Sequence, residues 1–77
     1  MAKAQKTAAQ RRQEANKIHE GSTFRMMGPS LVAEVKGAEF LGDRMKAQRV
    51  ANKFKGKGWT AMVTSKNDVI ATVTVPR

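Results

Sequence analysis

The apolar residues in the middle of the chain recur with the spacing of an amphipathic helix. Four of them stand at positions i, i+3, i+4 and i+7 and share one helical face: Ala47, Val50, Ala51 and Phe54. Asp43 suits the N-cap because its carboxylate accepts hydrogen bonds from free backbone N–H groups. Gly56 is expected at the C′ position. The pattern predicts a helix of about 12 or 13 residues that buries this face, with Met45 on its polar side.

Alternating apolar and polar residues predict four strands on either side of this helix. They are 22–27, 31–35, 59–64 and 69–75. Gly28-Pro29 and residues 65–68 supply turn chemistry, so each pair of strands is predicted to form a hairpin. The connector 37–42 carries two apolar residues, Phe40 and Leu41, that are expected to be buried. The predicted fold is α+β in the order α-β-β-α-β-β, with a four-stranded antiparallel sheet packed by the central helix.

Residues 1–20 are rich in alanine, glutamine, lysine and arginine, which favours a helix. The helix is predicted from about Thr7 to His19, with Gly21 at C′. Its apolar side is thin and consists of Ala4, Ala8, Ala15 and Ile18. We therefore divide the chain into a loosely held basic arm, 1–20, and an α+β domain, 21–77. The arm is interpreted either as a segment that orders on a polyanion or as a solvated helix that docks on the domain, and the sequence leaves its order open.

The composition argues against several classes of protein. No cysteine is present and His19 is the only histidine, so neither disulfides nor a zinc site is expected. The six acidic residues are scattered and do not form a recognisable catalytic or metal-binding motif. We expect no enzymatic activity, no metal and no cofactor. There is no apolar run long enough to span a membrane and no apolar segment typical of a secretory signal, so a cytoplasmic protein is predicted.

Positive charge is concentrated in one part of the chain. The formal net charge is +9, and residues 44–57 contain six cations and no anion. These are Arg44, Lys46, Arg49, Lys53, Lys55 and Lys57. A second contact zone is predicted at Arg11, Arg12 and Lys17. A helix that serves solubility alone normally mixes both signs of charge. The pattern therefore predicts a binding surface for nucleic acid or for an acidic protein surface.

The segment 55–59 allows more than one interpretation. Lys55-Gly56-Lys57-Gly58 combines glycines with lysines, as phosphate-binding loops do, but it lacks the spacing of a Walker loop. A helix C-terminus followed by a turn is the simpler interpretation. Trp59 is a candidate for stacking on bases between the cations. With four aromatic residues in the chain, it is also a candidate for the core.

Three functions are compatible with these features. The first is a non-enzymatic nucleic-acid-binding protein whose cations contact phosphates without reading base sequence. The alternative is a small regulator or inhibitor that binds an acidic surface of a larger host protein, such as a transcription or DNA-metabolism enzyme. Small, highly charged proteins of that kind are common among bacteriophage-encoded regulators. The third is a structural protein of a ribosome or virion. The oligomeric state is left open because the hairpins leave strand edges.

Overall fold

A computed structural model describes residues 6–76 of the chain. The elements follow the predicted order, with a short 3₁₀ helix at Gly37–Phe40 in the connector. The helices are α1 (Ala8–Ile18) and α2 (Arg44–Gly56), and the strands are β1 (Thr23–Met27), β2 (Ser30–Val35), β3 (Thr60–Val63) and β4 (Val69–Thr74). Ala4 lies outside the described residues.

The four strands form one antiparallel sheet in the order β1-β2-β4-β3. Strand β1 pairs with β2 in the first hairpin, and β3 pairs with β4 in the second. Pairing of β2 with β4 joins the two hairpins. Phe24, Ala33, Ala71 and Ala61 are aligned across the sheet in one row. Directly opposed residues point to the same face, so this row and its apolar neighbours form the face that packs against the helices. The predicted α+β class and element order are confirmed.

The core lies between this sheet face and α2. The four residues of the predicted apolar face of α2 are all buried, and Phe54 has no exposed surface. They pack in one cluster with the apolar residues of the central strands, among them Leu31, Val35 and Val69. Trp59 joins this cluster and meets Phe54 edge to face, with ring centroids 5.1 Å apart. Burial of this face therefore fixes which side of α2 remains exposed to solvent.

The connector between β2 and α2 is held close to the β3–β4 turn. The backbone N–H of Gly37 donates a hydrogen bond of 2.5 Å to Oδ1 of Asp68. A Cβ at position 37 would lie 1.9 Å from the carbonyl oxygen of Lys66, so the approach requires glycine. Phe40 is buried as expected, but Leu41 is 89% exposed and has a φ of 50°. The prediction that both apolar residues of the connector are buried is wrong for Leu41, because the left-handed turn directs its side chain outward.

Both helices end differently from the prediction. α2 continues through Gly56, and Gly58, with a φ of 92°, adopts the left-handed conformation after it. Trp59 N–H donates to Phe54 O at 3.0 Å and Gly58 N–H donates to Lys55 O at 3.1 Å, the bonding pattern of a Schellman motif. Gly58 rather than Gly56 therefore occupies C′. The cap of α1 is His19 in an extended conformation, so Gly21 lies beyond C′ and turns the chain toward β1.

Candidate nucleic-acid interface

All six cations of residues 44–57 are exposed. The ion pairs of residues 6–76 are Lys6–Glu14, Arg11–Glu14 and Lys36–Glu34, none of which includes these cations. No acidic residue occurs between Arg44 and Lys57. The positive charge of α2 is therefore not neutralised by carboxylates of the described part of the chain.

The buried face of α2 divides the cations between two sides of the helix. Lys46, Arg49 and Lys53 stand at i, i+3 and i+7 and form one line, which we call the α2 row. Arg44 and Lys55 lie on the opposite flank, since successive residues are rotated by about 100°. The guanidinium of Arg44 donates to Thr64 O at 3.0 Å and to Asn67 Oδ1 at 3.2 Å. Both acceptors are neutral, so Arg44 is positioned without forming an ion pair with a carboxylate of residues 6–76.

Helix α1 is attached beside the C-terminal end of α2 by four side chains that we call the Glu14 cluster: Lys6, Arg11, Glu14 and Trp59. Glu14 Oε1 accepts hydrogen bonds from Trp59 Nε1 at 2.7 Å and from Arg11 Nη1 at 2.8 Å. Lys6 pairs with Oε2 of the same carboxylate. Arg11 also donates to Lys57 O at 3.1 Å and lies over the indole ring, 5.9 Å from its centroid. The cluster thus ties α1 to the loop that follows α2.

The surroundings of Glu14 keep it ionised. Burial alone would raise its pKa, because a low-dielectric environment disfavours the charged form. Hydrogen bonds from Lys6, Trp59 and Arg11, together with the charge of Lys6, outweigh this effect and lower the pKa of Glu14 from 4.5 to about 2. The carboxylate therefore carries its charge at neutral pH, and its oxygens are already engaged by donors of this chain.

A groove of about 560 Å³ lies between α1 and the C-terminal end of α2. Its lining comes from both helices and from the segment that precedes α1: Lys6, Gln10, Gln13, Glu14, Lys17, Ile18, Lys53, Gly56 and Lys57. Four of these residues are lysines and one is an acid. The α1 side consists mainly of polar residues at i, i+3 and i+7, namely Gln10, Gln13 and Lys17. The groove is therefore a cationic, amide-lined cleft.

The three residues of the predicted second contact zone lie in different surroundings. Lys17 lies in the groove with Lys53 and Lys57. Arg12 is exposed on α1 but does not line the groove. Arg11 is only 17% exposed at its side chain and is engaged with Glu14. Sequence reasoning missed Lys6, Gln10 and Gln13 as groove residues. The polar i, i+3, i+7 spacing on α1 was the available signal, but its meaning depends on α2 lying opposite.

The structure does not provide Trp59 as a stacking surface. Trp59 is 3% exposed, and its ring contacts Phe54 and Arg11. Stacking on a base requires an accessible ring face. We therefore leave Trp59 out of the candidate interface and assign it to the core and to the attachment of α1.

Residues 6–76 contain neither a recognisable metal site nor a membrane-spanning helix. No group of three or more histidine, cysteine, aspartate or glutamate side chains in that range is arranged to hold a metal ion. His19 caps α1 and lies 5.7 Å from the ring of Phe40. Neither α1 nor α2 is long and apolar enough to cross a membrane. Comparisons with models of protein families, with curated proteins and with solved structures find no match.

Proposed function

We propose that this protein is a non-enzymatic nucleic-acid-binding protein of the cytoplasm that contacts phosphates with the cations of α2. One observation carries the proposal: six exposed cations lie within 14 residues, and none forms an ion pair with a carboxylate of residues 6–76. Keeping like charges close is unfavourable unless a partner neutralises them. A polyanion does so and releases its counterions on binding, which supplies the affinity.

The expected binding is insensitive to base sequence. The exposed groups of the α2 row are charged ends of long side chains, which contact phosphates readily. Four to six phosphate contacts predict a slope of about −4 to −5 for the logarithm of affinity against the logarithm of salt concentration on a duplex. Affinity should then fall on the order of 100- to 1,000-fold between 50 and 200 mM salt.

Fluorescence polarisation with a labelled duplex and a labelled single strand at these two salt concentrations tests the proposal. The variant Lys46→Gln/Arg49→Gln removes two cations of the α2 row, which should weaken duplex binding on the order of 50-fold at 0.1 M salt. Arg25→Gln/Lys66→Gln is the matched control, because it removes the same charge from exposed positions outside α2. Equal losses in both variants, or no binding at 50 mM salt, would contradict the proposal.

A second candidate, binding to an acidic surface of a larger protein, is favoured by two exposed apolar side chains. Leu41 is 89% exposed and Met45 is 69% exposed, and Arg44 and Lys46 flank Met45 in sequence. The positive φ of Leu41 is uncommon for a residue other than glycine and is associated with functional sites. The partner would present an apolar cleft bordered by carboxylates.

Affinity capture after nuclease digestion separates this candidate from the first. A protein retained in stoichiometric amount by the wild type, and lost with Leu41→Ser, supports a protein partner. Ser65→Ala is a suitable control because Ser65 is an exposed residue of the β3–β4 turn. Loss of all captured material on nuclease digestion would contradict the second candidate and support nucleic acid.

A further inference from the structure

The groove between α1 and α2 has features that the exposed row of α2 lacks. Its positive groups come from three separate segments of chain: Lys6 before α1, Lys17 in the last turn of α1, and Lys53 and Lys57 at the end of α2. Two glutamine amides face the same space. A ligand in the groove is therefore surrounded on two sides, whereas a ligand on the α2 row meets one convex surface.

We propose that this groove holds the sugar–phosphate backbone of a single nucleic-acid strand. The inference rests on the proposed nucleic-acid-binding function and specifies which form of nucleic acid enters the groove. A single strand brings one phosphate for each nucleotide, and a cleft with four lysines provides cations on both sides of it.

The charge of the groove favours an anion despite the presence of Glu14. That carboxylate already accepts hydrogen bonds from Arg11 and Trp59 and pairs with Lys6. Lys17, Lys53 and Lys57 are exposed and form no ion pair with a carboxylate of the described chain. The side chains of Gln10 and Gln13 can donate hydrogen bonds to phosphate oxygens or to sugar hydroxyls.

The size of the groove selects a single strand over a duplex. A volume of about 560 Å³ lies in the range of sites that take small ligands. The backbone of a few nucleotides of a single strand fits such a space. A whole duplex is too bulky to enter it, because its major groove alone is about 12 Å wide. The lining contains no aromatic side chain. Affinity in the groove should therefore come from phosphate contacts, with little preference among bases.

Two lysines on α2 form a matched pair for the test. Lys53 lines the groove, whereas Lys55 is two residues away and does not. Two residues correspond to a rotation of about 200°, so the two side chains leave opposite sides of the helix. Both are exposed in the free protein. Lys53→Gln and Lys55→Gln thus remove the same charge from the same helix on different sides.

The experiment measures binding of a labelled oligothymidylate and of a labelled duplex to both variants at 0.1 M salt. Lys53→Gln should weaken single-strand binding roughly fivefold and reduce the salt slope by about 0.7, as expected for one lost phosphate contact. Lys55→Gln removes a cation of α2 that lies outside the groove, so it should weaken duplex binding more than single-strand binding. Lys17→Gln should resemble Lys53→Gln, with Arg12→Gln as its control on α1. Unchanged Trp59 fluorescence and circular dichroism in each free variant show that α1 remains attached.

The outcomes separate the inference from the proposed function. Lys17 and Arg12 both lie outside the α2 row, and only Lys17 lines the groove. Equal losses of single-strand binding for Lys17→Gln and Arg12→Gln would therefore overturn the proposed role of the groove and leave nucleic-acid binding by α2 intact. Absence of binding to both oligonucleotides in the wild type would overturn the proposed function itself. Thymidine monophosphate is the third probe. If it competes with an affinity equal to that of the oligonucleotide, the groove is a pocket for one nucleotide, and the proposal that it holds a strand is overturned. Competition weaker by two orders of magnitude or more supports it.

Discussion

The two helices of this protein have similar lengths, 11 residues for α1 and 13 for α2, but different interactions hold them. α2 buries Ala47, Val50, Ala51 and Phe54 against the sheet. Ala15 is the one fully buried residue of α1, with Ala8 and Ile18 partly buried beside the same cluster. The remainder of the attachment of α1 is polar and centres on Glu14. The position of α2 therefore depends on apolar burial, and that of α1 depends largely on one carboxylate.

This difference matters for the candidate interface because each helix supplies part of it. The α2 row needs only α2, which belongs to the core. The groove needs both helices and exists only while α1 is attached. Changes that release α1 should therefore remove the groove and leave the α2 row in place.

The largest effect is expected from the buried face of α2. Phe54→Ala should lower the free energy of unfolding by about 3–5 kcal/mol, since it removes a fully buried aromatic side chain and leaves a cavity. Urea unfolding followed by circular dichroism measures it. Met45→Ala is the control on the same helix, because Met45 is 69% exposed and should change stability by less than about 0.5 kcal/mol. Similar losses in both variants would show that α2 does not depend on this face.

A smaller and more local effect is expected at Glu14. Glu14→Gln removes the charge that Lys6 and Arg11 neutralise, and should weaken the attachment of α1 by about 1–3 kcal/mol. The emission of Trp59, the only tryptophan, should shift to the red as its ring becomes exposed, while the sheet keeps its circular dichroism. Glu20→Gln removes the same charge from an exposed position and should not shift the emission. Loss of the sheet signal together with the shift would mean that α1 cannot separate from the domain.

Acid should release α1 through the same carboxylate. The pKa of Glu14 is lowered to about 2 in the folded protein, below its ordinary value of 4.5. The stability that this carboxylate contributes is therefore fully present above about pH 4.5 and is lost as the pH falls toward 2. A titration of Trp59 emission from pH 6 to 2 measures this loss. Glu14→Gln should remove that part of the titration, and persistence of the full transition in the variant would assign it to other acids.

The smallest effects are expected from the N-caps. Thr7 Oγ1 accepts from Gln10 N–H at 3.2 Å in a capping box, and Asp43 Oδ1 accepts from Met45 N–H at 3.0 Å. Thr7→Ala and Asp43→Ala should each cost about 1 kcal/mol. The first should appear as weaker attachment of α1 in Trp59 emission, and the second as lower global stability in urea. Asp43→Asn should restore stability, because asparagine is an equally good N-cap. A loss of global stability from Thr7→Ala would contradict the view that the two helices are held independently.

The sequence was most informative where one local pattern decides a structure. The spacing of the apolar residues of α2 specified its buried face, and Asp43 marked its first turn. Alternation and turn residues located both hairpins, although β3 and β4 are one or two residues shorter than predicted. Predictions were weaker at element ends. Gly56 and Gly58 are both plausible helix terminators, and the backbone hydrogen bonds of the folded loop select Gly58.

The candidate interface was predictable only in part. The charge of residues 44–57 and its exposure follow from the composition and phase of α2. Apolar periodicity does not reveal how α1 is attached, because the contacts of this helix with the domain centre on Glu14, Arg11 and Trp59. The role of Glu14 was not visible either, since its partner Trp59 is 45 residues away in the chain. The exposure of Leu41 likewise depends on a backbone conformation that no local apolar pattern specifies.

By itself, the amino-acid sequence determined the α+β class, the order of the elements, the buried side of α2 and the concentration of cations on its exposed side. These properties depend on residue spacing and on local backbone preferences, which act between neighbours in the chain. Only the tertiary structure decided that β2 pairs with β4, that Trp59 is buried and that α1 lies beside α2. Those outcomes depend on contacts between distant residues, which become favourable only after the chain has brought their surfaces together.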